Sequence, residues 1–150
     1  MSKGYFSHKT GDKIEKMIVN NTRCPICFQG LGHFTKNYSW KDCICPNNHS
    51  FEIKSKALSM LGDPRFLHED INIYFRCGNP QKMGNVDGVI YYIYELDPHT
   101  EVKRNIIFGF LPRNKLNIRR SVNGTNMIVH NYKSLRRFQM YCPFSLRRFY

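Results

Sequence analysis

Two cysteines separated by two residues constrain the fold of this chain more than any other feature of its sequence. The tetrapeptide CPIC at 24–27 is typical of a knuckle, in which two thiolates bind one ion while backbone N–H groups stabilise their sulfurs. A second pair, Cys45 and His49 in the sequence CPNNH, follows after seventeen intervening residues. Cys24, Cys27, Cys45 and His49 therefore predict a zinc site, and four protein ligands make that zinc structural.

The remaining cysteines leave one alternative open. Cys43 could replace Cys45 or His49, because residues 43 and 45 of one strand point to the same face. Cys77 and Cys142 lie far from these ligands in sequence and are predicted to be core residues. The other histidines have no paired ligand nearby, and we expect surface or core positions for His8, His33, His68, His99 and His130.

The length of the chain predicts a single domain over residues 1–150, since one hydrophobic core fits and two do not. No run of 18 apolar residues is present, and the basic start MSKGYFSHKTGDK lacks the apolar stretch of a signal peptide. We therefore expect an intracellular protein without a membrane partner, cytoplasmic or, for a viral chain, nuclear or virion-associated. In a reducing compartment, clustered cysteines hold metal more often than they form disulfides.

The charge of the chain predicts a polyanionic partner. Lys and Arg number 23 against 11 acidic residues, for a net charge of +12, and from residue 101 onward eleven Lys or Arg accompany a single acid. Nucleic acid is favoured because each phosphate contact releases counterions, although a solvated basic surface or an acidic membrane partner is the alternative. We expect phosphate contacts from three arginine pairs, namely Arg119 and Arg120, Arg136 and Arg137, and Arg147 and Arg148.

Hydrophobic periodicity predicts a mixed α/β domain. Ile14, Met17 and Ile18 form one stripe of a helix over residues 8–20. The clearest buried strand is GVIYYIYEL at 88–96, which is dense in β-branched and aromatic residues. Further strands are predicted at 40–45, 50–55, 71–77 and 105–111, with a helical turn at 57–61 and a loop at 78–88.

Residues around the second metal pair predict another cation site. In a strand, Glu52 and Lys54 project to one face, and a hairpin of 40–45 with 50–55 would place Asp42 beside Glu52. Magnesium prefers oxygen ligands, which Asp42, Glu52 and the carbonyl of Ile53 would supply. Lys54 would orient or help deprotonate an attacking water while the cation polarises a phosphate. As a bare pattern, these residues are more often an exposed Glu/Lys pair on a strand than a cation site.

The sequence from about Ser7 to Lys56 resembles the Dam-replacing, DpnI-like family of type II restriction endonucleases. The matching elements occur in the family's order and near its spacing: Ser7-x-Lys9, Glu15, Cys24-Pro25-x-Cys27, His33-Phe34, Asn37, Asp42, Cys45 and Phe51-Glu52-Ile53-Lys54-Ser55-Lys56. The resemblance implies a PD-(D/E)XK restriction-endonuclease-like core. Such a core is a mixed β-sheet with flanking helices, here with a zinc-ribbon-like knuckle inserted at about 24–49.

Carried over position by position, the resemblance implies that Asp42 and Glu52 bind Mg²⁺ and that Lys54 is the catalytic lysine. Glu15 matches an acidic position of the family's first helix and would reach the metal site through water. The zinc cysteines match as well, but His49 stands one residue away from the family's usual fourth cysteine.

The chain departs from the family at two places. Residues 39–41, Ser-Trp-Lys, replace an apolar, proline-containing stretch before the catalytic aspartate, so Lys41 could alter metal affinity. Beyond Lys56 the likeness fades to a strand pair at 88–96 and 105–112. The family's winged-helix domain, which reads methylated DNA, is not expected in these 150 residues, so a dependence on adenine methylation is not carried over.

These features together predict a Mg²⁺-dependent DNA endonuclease with a structural zinc, acting as a monomer or as a transient homodimer on DNA. Two alternatives stay open. The chain could be a non-catalytic zinc-ribbon module that binds nucleic acid through its basic, aromatic C-terminal stretch. It could also be a related nuclease or resolvase that acts on RNA or branched DNA.

Overall fold

A computed structural model describes residues 3–38, 41–57, 71–96 and 102–142 of the chain. Within these ranges it is a mixed α/β structure with two α-helices, α1 (Lys3–Asn21) and α2 (Tyr132–Arg137). Its strands are β1 (Gly32–Tyr38), β2 (Lys41–Ile44), β3 (Ser50–Ala57), β4 (Asn72–Cys77), β5 (Gly88–Leu96), β6 (Val102–Pro112), β7 (Ile118–Arg120) and β8 (Asn126–Asn131). In this described part, neither α-helix combines the length and the apolar character needed to cross a membrane.

The larger sheet has five strands in the order β1-β2-β3-β5-β6. β3 and β5 run parallel, and the other neighbouring strands are antiparallel. Every residue of β5 from Val89 to Tyr94 is buried, because both faces of the sheet are covered there. This burial explains why the strand is a continuous apolar and aromatic run rather than an alternating one.

Helix α1 covers one face of the sheet. Ile14, Met17 and Ile18, which share one stripe of the helix, belong to the same buried cluster as Phe51 and Ile53 of β3. The other face carries a second buried cluster, shared with a three-stranded sheet of order β4-β8-β7. The residues of this second cluster include Ile73, Phe75, Val89, Tyr91, Ile128 and Leu135.

The alternation along β3 decides which side chains meet the second sheet. Phe51 and Ile53 point towards α1, so Glu52 and Lys54 point to the opposite face. Glu52 pairs in register with Val89 of β5, whose side chain belongs to the second cluster. Two charged side chains are thus held by an interior strand beside the interface between the two sheets.

Several sequence predictions are confirmed. The predicted helix lies within α1, and the strands predicted at 71–77, 88–96 and 105–111 correspond to β4, β5 and β6. The predicted hairpin is present, since β2 and β3 pair antiparallel with Cys43 opposite Phe51. The PD-(D/E)XK character of this core stays a prediction.

Other predictions fail or fall outside the described residues. The turn predicted at 57–61 is wrong at Ala57, which ends β3, and residues 58–61 are not described. The sequence patterns predict no strand where β1, β7 and β8 lie. β1 is a largely polar edge strand and β7 has only three residues, so neither shows a run of alternating apolar residues.

Candidate functional site

The four predicted zinc ligands converge from two loops. The ligand atoms of Cys24, Cys27, Cys45 and His49 all lie within 4.8 Å of one another. Sγ of Cys27 is 3.6 Å from Sγ of Cys45, and Nδ1 of His49 is 3.4 Å from that same Cys45 sulfur. Thiolates at about 2.3 Å from a tetrahedral zinc lie about 3.8 Å apart, close to this spacing. The Cys3His cluster could therefore bind zinc.

Backbone groups of the knuckle stabilise its sulfurs. The N–H groups of Ile26 and Cys27 point at Sγ of Cys24, at 3.4 and 3.5 Å. Burial raises the pKa of Cys24 to about 11, whereas hydrogen bonding to the Gln29 backbone lowers the pKa of Cys27 to about 6. Because zinc binds thiolates, Cys27 is already suited to ligation at neutral pH and Cys24 would be ionised by the cation itself.

The second loop folds so that His49 completes the cluster. The N–H of Cys45 donates to the carbonyl of His49 at 2.9 Å, and the N–H of Asn48 donates to the carbonyl of Cys45 at 3.0 Å. Asn48 has a φ of 66°, in the left-handed region that asparagine tolerates better than most residues. This tight turn brings the imidazole of His49 back to the sulfur of Cys45.

The remaining cysteines take no part in this cluster. Cys43 is fully buried against α1 with its thiol 3.9 Å from the carbonyl of Phe51, and it lies outside the group of Cys24, Cys27, Cys45 and His49. Cys77 is a core residue, as predicted, and Cys142 packs partly buried against the α1 cluster.

The hairpin also brings the predicted acidic residues together. Oδ2 of Asp42, in β2, accepts a hydrogen bond of 2.7 Å from the backbone N–H of Ile53 in β3. Nζ of Lys54 lies 3.2 Å from Oε1 of Glu52. This hydrogen bond holds the carboxylate of Asp42 against the backbone of β3 between Glu52 and Lys54. Ile53 makes this contact through its N–H, whereas its carbonyl was the predicted ligand.

Glu52 is largely shielded from solvent. Its side chain is 13 % exposed and that of Lys54 is 21 % exposed. The second carboxylate oxygen of Glu52, Oε2, is buried and has no hydrogen-bond partner among the residues that the structure describes. An unsatisfied buried carboxylate oxygen is costly, so such an atom marks a position where a cation or a donor would be stabilised.

A third carboxylate reaches this group from helix α1. The pKa of Glu15 is raised from 4.5 to about 7, first by burial and then by the negative charge of Asp42, with a smaller effect from Glu52. Burial also raises the pKa of Asp42 and of Glu52, while Lys54 acts in the opposite direction. Burial, together with neighbouring acids, thus disfavours the ionisation of Glu15 and Glu52, and a divalent cation would relieve this cost.

The carboxylates are less tightly gathered than the zinc ligands. Across the described ranges, the Cys3His cluster is the only set of three or more Cys, His, Asp or Glu whose ligand atoms lie within 4.8 Å of one another. Magnesium does not require such convergence, since it retains several waters and commonly takes only one or two carboxylates. The residues present therefore fit a hydrated divalent cation better than a fully protein-coordinated one.

Strand β4 forms a wall beside this group. Nζ of Lys56 donates to the carbonyl of Tyr74 in β4, and burial lowers the pKa of Lys56. The thiol of Cys77, at the end of β4, has its pKa raised by burial while the charges of Lys54 and Glu52 act on it. Glu52 and Lys54 therefore lie partly shielded beside β4 rather than on an open strand, and we call this position, together with Asp42 and Glu15, the acidic cleft.

A contact that the sequence did not reveal fastens the loop at 78–87 to the start of β3. Oδ2 of Asp87 accepts a hydrogen bond of 3.0 Å from the N–H of Ser50, and the N–H of Asp87 donates to the carbonyl of Ser50 at 2.8 Å. The hydroxyl of Ser50 donates to the carbonyl of Asn85 at 3.3 Å. Ser50 stands between His49 and Glu52, so this loop supports both sites. No short-range motif signals a pairing across 37 residues.

Cations surround the turn at Gly84 in that loop. Nη1 of Arg113 donates to the carbonyl of Gly84 at 2.7 Å, and Cε of Lys41 lies 4.0 Å from the position of a Cβ on Gly84. Lys82, Arg113 and Lys115 are exposed. We call Lys41, Lys82, Arg113 and Lys115 the basic rim, and Lys41 is the residue before Asp42 in β2.

The predicted arginine pairs lie on two other elements. Arg119 and Arg120 are exposed on β7, and Arg136 and Arg137 are exposed on α2. The guanidinium of Arg120 lies over the turn at Gly124, 3.4 Å from the position of a Cβ there, and that of Arg136 is 5.9 Å from the ring centre of Tyr132. Arg147 and Arg148 lie outside the described residues. The four described arginines are exposed, as phosphate contacts require.

Comparisons with models of protein families, with characterised proteins and with solved structures found no match to this chain. The resemblance to the Dam-replacing family stays a prediction from the residues between Ser7 and Lys56. The functional argument therefore depends on the geometry of the two sites.

Proposed function

We propose that this protein is a Mg²⁺-dependent DNA endonuclease with a structural zinc. The observation that carries the proposal is the shielded group of Asp42, Glu52 and Lys54, in which one carboxylate oxygen of Glu52 is buried and finds no partner within the described part of the chain. Buried acids beside a lysine, in a cleft of a basic protein, are the residue types needed to bind a cation and hydrolyse a phosphodiester.

The zinc in this proposal has a structural role. Three cysteines and one histidine fill a tetrahedral coordination sphere, which leaves no position for a substrate or a water. The cluster joins the knuckle after α1 to the turn before β3. Its contribution is to fix the start of β3, two residues before Glu52.

Asp42 and Glu52 would hold the magnesium, with Glu15 contributing through water. The magnesium would supply the positive charge that polarises the scissile phosphate. The N–H of Ile53 fixes the orientation of the Asp42 carboxylate. The ion pair between Lys54 and Glu52 holds the ammonium group of Lys54 beside the Glu52 carboxylate. Lys54 would then donate a hydrogen bond that orients the attacking water.

Electrostatics support a nucleic-acid substrate. A net charge of +12 attracts a polyanion, and the basic rim begins at the residue before Asp42. Phosphates on either side of the scissile bond would meet these cations while the carboxylates hold magnesium. The choice of DNA over RNA follows the family resemblance.

The proposal is tested by incubating zinc-loaded protein with plasmid DNA, with and without Mg²⁺, and following cleavage on a gel. Asp42→Asn and Lys54→Ala should each reduce the cutting rate by at least about 100-fold, since each removes a group that acts on the reacting phosphate or water. Lys133→Ala, which removes an exposed cation on α2, is the matched control and should cut normally.

Zinc content and circular dichroism must be unchanged in all three variants, so that lost cleavage reports chemistry rather than unfolding. Equal cutting by Lys54→Ala and the wild-type protein would exclude the proposed active site. Saturable DNA binding with no Mg²⁺-dependent cleavage would instead identify a non-catalytic binding module.

A further inference from the structure

Phe28 is an exposed aromatic residue held in an unfavourable backbone conformation. It follows the zinc ligand Cys27, has a φ of 64°, and is 69 % exposed. A bulky side chain is disfavoured in the left-handed region by steric repulsion, which glycine avoids and asparagine largely avoids. Conformations of this kind persist where the surrounding structure enforces them, and they concentrate at functional sites.

The knuckle holds Phe28 firmly in this conformation. The N–H of Phe28 donates to the carbonyl of Cys24 at 2.9 Å, and the N–H of Cys24 donates to the carbonyl of Gln29 at 2.7 Å. The guanidinium of Arg23 donates to the carbonyl of Phe28 at 3.3 Å. With its ends tied by backbone hydrogen bonds and two metal ligands, the loop presents the ring on a preorganised support.

A second apolar side chain extends from the same loop. Ile26 is 45 % exposed and lies between the two cysteines of the knuckle. If the turn required only its backbone shape, glycine or asparagine at position 28 would satisfy it with less strain. The benzyl group of Phe28 is mostly exposed and contributes little buried surface to the fold, so a binding role explains its presence at this position.

The charge of the chain segment that contains the knuckle favours a polyanionic partner. From Lys16 to Lys41 the chain contains four Lys or Arg and no Asp or Glu. Repulsion between two copies of a protein of charge +12 opposes self-association through this surface, whereas a polyanion is attracted. Aromatic rings flanked by arginine are the usual means of binding unpaired bases, because every base has a face on which a ring can stack.

We propose that the knuckle tip, defined as Arg23, Ile26 and Phe28, binds single-stranded nucleic acid. The ring of Phe28 stacks on an unpaired base, Ile26 packs against its edge, and the exposed guanidinium of Arg23 contacts the adjoining phosphate. This inference shares the nucleic-acid partner of the proposed function but does not require hydrolysis.

The test compares Phe28→Asn with the wild-type protein. Asparagine retains the left-handed backbone and removes the ring, and Val122→Ser, at a fully exposed apolar residue in the β7–β8 turn, is the matched control. Affinities for a fluorescent 12-nucleotide single strand and for its duplex are measured by anisotropy without added Mg²⁺. Phe28→Asn should weaken single-strand binding about 5- to 100-fold, with a much smaller change for the duplex. Val122→Ser should change neither affinity.

A second variant makes stacking directly visible. Phe28→Trp should bind the single strand at least as tightly as the wild-type protein, and its added indole fluorescence should be quenched on binding. Wild-type single-strand affinity in Phe28→Asn, at equal zinc content, would overturn the inference. A dimer in sedimentation that Phe28→Asn dissociates would overturn it in favour of a second copy. Selective loss of binding to phosphatidylserine vesicles would do so in favour of a membrane.

The inference and the proposed function fail separately. Loss of single-strand binding in Phe28→Asn without any Mg²⁺-dependent cleavage by the wild-type protein would retain the knuckle tip and reject the nuclease. Normal single-strand binding by Phe28→Asn, together with cleavage that depends on Asp42, would do the reverse.

Discussion

The Cys3His cluster and the acidic cleft draw on the same short stretch of chain, in which their residues alternate, yet they are built on opposite principles. In the cluster, four donors approach one another closely and their loops satisfy their own hydrogen bonds. In the cleft, burial raises the pKa of Glu15 and of Glu52, neighbouring acids raise both further, and one carboxylate oxygen of Glu52 is buried with no hydrogen-bond partner among the described residues. The first arrangement would serve stability, whereas the second sacrifices stability for the ability to bind a cation.

The largest expected effect on stability distinguishes Cys45, a member of the Cys3His cluster, from Cys43, which lies outside it. Cys45→Ala removes a ligand and should destabilise the protein by more than about 4 kcal/mol, because the free energy of binding a structural zinc is also folding free energy. Cys43→Ala, two residues earlier, removes only a buried thiol and should cost about 1 kcal/mol while retaining one zinc per chain. Zinc content and denaturant unfolding measure both. Equal zinc loss in the two variants would contradict the ligand assignment.

Next in size is the contact that supports both regions at once. Asp87→Ala removes the acceptor for the N–H of Ser50 and should cost about 2 kcal/mol, since a buried donor is left unsatisfied. Asp87→Asn retains an acceptor oxygen and should lose much less. Urea unfolding of the two variants gives the difference. If both unfold like the wild-type protein, the loop at 78–87 does not support β3.

A smaller effect should distinguish the cleft from the cluster by its response to magnesium. At ten times the dissociation constant, Mg²⁺ should stabilise the zinc-loaded protein by about 1.4 kcal/mol. Glu52→Gln should abolish this gain, because it removes a ligand charge, and it should leave zinc content unchanged. Thermal unfolding with and without Mg²⁺ provides the measurement. An equal gain in Glu52→Gln would place the magnesium elsewhere.

The smallest predicted effect concerns the folding stability that is lost when Glu15 is ionised in the folded protein. The pKa of Glu15 is raised from 4.5 to about 7, so between these values the folded state binds a proton that the unfolded state releases. Stability from this group is therefore lost as the pH rises through that window. Without Mg²⁺, Glu15→Gln should be more stable than the wild-type protein by about 1 kcal/mol at pH 8, after allowance for solvent screening.

The gain in Glu15→Gln should be smaller at pH 6, where Glu15 is largely protonated in the folded state. Chemical unfolding at the two pH values tests this sign. A variant that is less stable than the wild-type protein at pH 8 would show that the acids do not repel one another.

Sequence reasoning located what depends on local pattern. The knuckle at 24–27 follows from its spacing, and the placement of Asp42 near Glu52 and Lys54 follows from one hairpin and the two-residue period of a strand. It could not choose between Cys43 and Cys45, because that choice depends on where β2 ends. The support of Ser50 by Asp87 depends on tertiary packing across 37 residues, which no short motif records.

The pairing of β3 with β5 has a further consequence for how the chain avoids misfolding. If β3 were shifted by one residue relative to β5, the side chains of Glu52 and Lys54 would point into the apolar layer beneath α1, and those of Phe51 and Ile53 would point away from it. Burying these two charged side chains in that layer would cost more free energy than the backbone hydrogen bonds of the shifted register could provide. Glu52 and Lys54, which would take part in hydrolysis, thus also favour the correct register of β3. Replacing both with neutral residues should therefore increase register errors during folding as well as abolish hydrolysis.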